Sequence, residues 1–147
     1  MIDFSTTTAF RLVRRLAMGQ GSTAIYLLIH EDGKRPDIEA DLRAEAEVQL
    51  GIQPPIGSVD DLLGEPLGLK LDDANPIRIL RIDHWSPELV GLLDTHVIRL
   101  ERSGAQFLFL TTDKLSERLL VAAPNFRSRL TEILRILPDD PSGGAPN

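Results

Sequence analysis

Ile77-Arg78-Ile79-Leu80-Arg81-Ile82-Asp83-His84 is the stretch on which the fold turns. Aliphatic residues dominate it and it closes on an acid, which reads as a sheet strand with a carboxylate at its carboxyl end. Downstream, Pro87-Glu88 opens a helix that buries Leu89, Leu93, Val97 and Leu100, and Ser103-Gly104 stops it. Gln106-Phe107-Leu108-Phe109-Leu110-Thr111-Thr112 follows at once as a second strand, ending in hydroxyls. Upstream, the apolar run Ala24-Ile25-Tyr26-Leu27-Leu28-Ile29 is a third strand, buried on both faces. After it comes His30-Glu31-Asp32-Gly33-Lys34-Arg35-Pro36 where a phosphate-binding loop would need several glycines.

The remaining elements fall into place around these three. Residues 6–18 carry Ala9, Leu12, Val13, Leu16 and Ala17 at helical spacing, and Gly19-Gln20-Gly21 ends the helix. Pro36 suits a first helical turn, Ile38, Leu42, Ala46 and Leu50 recur every four residues, and Gly51 is the stop. The Pro- and Gly-rich stretch 53–75 reads as a weak edge strand at Ile56, then a short helix begun by Ser58 and carrying Leu62 and Leu63. Residues 114–123 form a helix with Leu115, Leu119 and Ala122 inward. For 131–137 both helix and strand remain open, and the β-branched Thr131, Ile133 and Ile136 favour a strand. Strands alternating with helices imply right-handed crossovers. The expected fold is α/β, a three-layer sandwich with a mostly parallel, about five-stranded sheet. The expected organisation is one domain over 1–137 and a disordered tail over 138–147.

Composition narrows the function classes. The chain has 147 residues, the size of one domain. A net charge of −6 argues against a dedicated nucleic-acid or anionic-membrane binder, since phosphate backbones reward dense Lys and Arg. The absence of cysteine removes disulfides, thiol nucleophiles and Cys-based zinc sites. No apolar run approaches the roughly 18 residues of a membrane span. The amino-terminal stretch lacks the basic-then-apolar order of a signal peptide, so the expected location is the cytoplasm.

No residue set demands a chemistry. Gly19-Gln20-Gly21-Ser22-Thr23 follows a helix and precedes a strand, the reverse of a phosphate loop. Gly33-Lys34 follows the right strand but lacks an upstream glycine and a Ser or Thr for magnesium. Asp83 is placed to orient a metal, and its plainer role is to cap the following turn or accept backbone N–H bonds. His30, His84 and His96 show no H-E-x-x-H spacing, and no Gly-x-Ser-x-Gly elbow is present. His96 shares a helix face with Leu93 and Leu100, which reads as a half-buried structural side chain. A receiver-like phosphoacceptor would use Glu31, Asp32 and Asp83, but no lysine follows Lys114. The expectation is therefore no catalytic residue, no cofactor and no metal.

The order Leu92-Leu93-Asp94-Thr95-His96-Val97-Ile98-Arg99-Leu100-Glu101-Arg102, then the strand at 106–110, then Leu119-Leu120-Val121-Ala122-Ala123-Pro124-Asn125-Phe126, resembles the back half of bacterial STAND-type P-loop NTPases. In that comparison Ile79 to Asp83 stands where those proteins have a Walker B strand, and Thr111 and Thr112 where they have a sensor. Active members keep Gly-x-x-x-x-Gly-Lys-Ser/Thr after the first strand, and this chain has Gly33-Lys34-Arg35. The resemblance implies a P-loop NTPase-like fold without a phosphate loop: an inactive adaptor or regulatory module of a bacterial signalling or defence system. Its partner would be another protein subunit (a protease, NTPase or effector), with no nucleic acid and no membrane. The expected docking surface comprises Asp32, Lys34, Arg35, His84, Trp85, Thr112, Asp113 and Lys114, all at the carboxyl ends of strands. The alternative is a weak nucleotide binder or phosphoacceptor switch using Asp83 and Lys34.

Overall fold

The computed structural model describes residues 4–19, 23–60 and 76–139. In chain order the elements are β1 (Thr6–Thr8), α1 (Ala9–Met18), β2 (Ala24–Ile29), α2 (Arg35–Leu50), β3 (Ile56–Ser58) and β4 (Ile77–Arg81). They continue with α3 (Pro87–Arg102), β5 (Gln106–Thr111), α4 (Asp113–Ala122), α5 (Pro124–Ser128) and β6 (Glu132–Leu137). The sheet has six strands in the order β1-β6-β2-β5-β4-β3, and every described pairing is parallel. The three-layer α/β sandwich expected from the sequence is therefore present.

Alternation along the strands builds the layers. Ile25 and Leu27 of β2, Phe107 and Phe109 of β5, and Leu80 of β4 face the side covered by α3, α4 and α5. Tyr26 and Leu28, Leu108 and Leu110, and Ile77 and Ile79 face the side covered by α1 and α2. Phe109 meets Phe126 of α5 edge to face, with centroids 5.3 Å apart. Fully burying each such aliphatic or aromatic side chain contributes about 1.5–3 kcal/mol, so the two faces hold the fold together.

Three local features correct the expectations, and one bears out the reading that the sequence favoured. The sheet has six strands, because residues 6–8 pair with β6 as Thr6↔Arg135, Thr7↔Ile136 and Thr8↔Leu137. The helix expected from residue 6 therefore starts at Ala9, where the Thr8 hydroxyl accepts from the Arg11 amide. Residues 131–137 resolve to strand, since β6 fills the gap between β1 and β2. Ala122 is exposed, and Leu119, Leu120 and Ala123 make the inward face of α4 and its end. Gly51 ends α2 with φ 69°, the left-handed conformation that glycine adopts without a Cβ penalty. The expected helix carrying Leu62 and Leu63 lies outside the described residues, as do the tail residues from 140 onward. Among the described residues, no helix is long and apolar enough to cross a membrane.

Candidate functional site

The topology creates a crevice at the carboxyl edge of the sheet. β2 leaves through α2 on one face toward β3, and β5 leaves through α4 and α5 on the other face toward β6. β2 and β5 are neighbours, so the chain parts to opposite sides at their carboxyl ends. Open α/β sheets place ligands and contacts at such switch points. Two cavities occupy the place. One of about 1050 Å³ is lined among others by His30, Asp32, Asp83, Thr112, Lys114 and Arg118. Beside it, one of about 420 Å³ shares His30, Asp32, Asp83 and Thr112 and adds Arg35.

The β2–α2 connection is a plain turn. Gly33 takes φ 82°, Lys34 donates to the Glu31 carbonyl at 3.1 Å, and Lys34 precedes α2 without a side-chain cap. Pro36 removes a donor from the first helical turn and Asp37 adds a negative charge there. This turn lacks the convergent donors of a phosphate cradle.

Asp83 lies beyond β4 and is held by its neighbours. Nδ1 of His84 sits 3.0 Å from one carboxylate oxygen, and Arg35 lies 3.5 Å from the other. Arg35 also approaches Glu39 at 3.5 Å, and Glu39 accepts from Arg81 at 2.5 and 3.0 Å. A line of alternating charges thus ties α2 to the end of β4. Among the described residues the Asp83 carboxylate takes side-chain partners, Arg35 and His84, in place of the backbone amides expected for a turn cap, and the Ser86 hydroxyl caps α3 by accepting from the Leu89 amide. His84 also approaches Asp60 at 3.4 Å. The hydrogen bond to Asp83 first, then the field of Asp60, raises the His84 pKa above 6.5.

The eight expected surface residues divide into two sets. Asp32, Arg35, Thr112, Asp113 and Lys114 line the crevice. Lys34, His84 and Trp85 flank it: Lys34 and His84 are exposed, and Trp85 is half-buried against the core with the Arg118 guanidinium 4.0 Å over its ring. Asp113 is tied to β6 by two hydrogen bonds from Arg135, at 2.8 and 2.9 Å, which hold its carboxyl below the usual range. Thr111, expected at a sensor position, donates its hydroxyl to the Ile82 carbonyl at 2.9 Å inside the sheet. His30, Glu117 and Arg118 also line the crevice and were not expected there, and Glu31, expected only for the phosphoacceptor alternative, lines it too. The signal for His30 was available, since it is the first residue beyond a strand buried on both faces.

Comparisons with known proteins add little. No family model matches the chain, and no curated protein matches it. The solved structure of the DnaC helicase loader is similar over 86% of this chain and 87% of its own, with a TM-score of 0.47 and 11% sequence identity. At that identity the likeness says nothing of chemistry or partners.

Proposed function

We propose that this domain is a non-catalytic interaction module that docks a partner protein at the carboxyl edge of its sheet. The observation that carries the reading is the β2–α2 turn at the switch point. There Glu31 and Asp32 are exposed, Pro36 withholds an amide, and Asp37 occupies the first helical turn. A nucleotide phosphate at this place would meet carboxylates instead of converging N–H groups. Protein contacts have no such requirement, and the crevice between β2 and β5 is open and shaped. The sequence resemblance supplies the setting: an adaptor or regulatory subunit in a multi-component bacterial signalling or defence system, with a protease, NTPase or effector as partner.

The strand order weighs against the phosphoacceptor switch. In receiver-type domains the first two strands of the sheet lie side by side, in the order 2-1-3-4-5. Here β3, the strand after β2, lies at the far edge, separated from β2 by β5 and β4. The Asp83 carboxylate is also already engaged by Arg35 and His84. Affinity purification from the native cells tests the docking reading. A single protein retained by the wild type and lost with Asp32→Arg, at unchanged melting temperature, supports it. Turnover of ATP or GTP that Lys34→Ala abolishes contradicts it.

A further inference from the structure

We draw no further inference here: the strongest candidate, the groove of about 440 Å³ between α4, α5, β6 and the chain before β1, is an unpartnered apolar face around Phe4, Leu120 and Val121, and nothing in the structure shows what covers it.

Discussion

Trp85 shows how one residue serves two neighbours. Its position just past a strand end leaves two readings from sequence, an exposed contact residue or a ring folded back over a neighbouring helix. In the structure one part of the ring packs on the core and Arg118 covers its face at 4.0 Å. Trp85→Ala is therefore expected to cost about 2 kcal/mol in urea unfolding, roughly half the value for a fully buried aromatic. A loss within ~0.5 kcal/mol, the range of an ordinary surface substitution, would show that the ring is not part of the core. His84 gives a second residue-scale outcome. Its pKa should lie above 6.5 by NMR titration and fall back toward 6.5 in Asp83→Asn, because the Asp83 hydrogen bond is the main cause of the rise. The linked stabilisation is fully present below pH 6.5 and is lost as pH rises through the folded-state value. A His84 titration unchanged by Asp83→Asn would refute the pairing.

At the scale of elements, carboxylates fasten neighbouring segments to one another. Asp94 of α3 accepts from the Asn125 and Phe126 amides at 2.7 and 3.0 Å, and so caps α5 from outside it. Asp94→Ala should destabilise by about 1–2 kcal/mol, as for a lost cap, measured by chemical denaturation. Asp139, beyond β6, accepts from the Phe10 amide at 3.3 Å and donates its own amide to Asp41 at 2.8 Å. Burial first raises the pKa values of Asp41 and Asp139, and neighbouring carboxylates add to both. For a raised acid, the cost of ionisation is absent below about 3.8 and grows as pH rises through the folded-state value. Asp41→Asn should accordingly raise the melting temperature at pH 7 and lose that advantage below the carboxylate range. Asp113 has the opposite sign: its lowered pKa adds stability above 3.8 that disappears as pH falls through the folded-state value. Its side chain is 54% exposed, so solvent screening keeps that contribution small.

For the whole molecule, the sandwich was legible because β2 and β5 are buried along their full length. Such runs, with Leu89-Leu93-Val97-Leu100 at helical spacing between β4 and β5, fit a parallel sheet covered on both faces. The sixth strand was not legible. Thr6–Thr8 is too short to show a period of two and runs straight into the apolar stripe of α1, so pairing with β6 decides its state. The crevice was legible in part, since Asp32, Thr112 and Asp113 follow strand ends. His30 follows a buried strand directly, which is a weak signal, because a lone histidine beside a turn carries no spacing pattern. The charge line through Arg35, Glu39, Arg81 and Asp83 joins residues far apart in the chain and needs the fold to appear. The central claim is that this switch-point crevice docks protein and not nucleotide. Isothermal calorimetry with magnesium-ATP measures it most directly. The account predicts no heat of binding up to millimolar nucleotide, and a micromolar constant abolished by Lys34→Ala would contradict it.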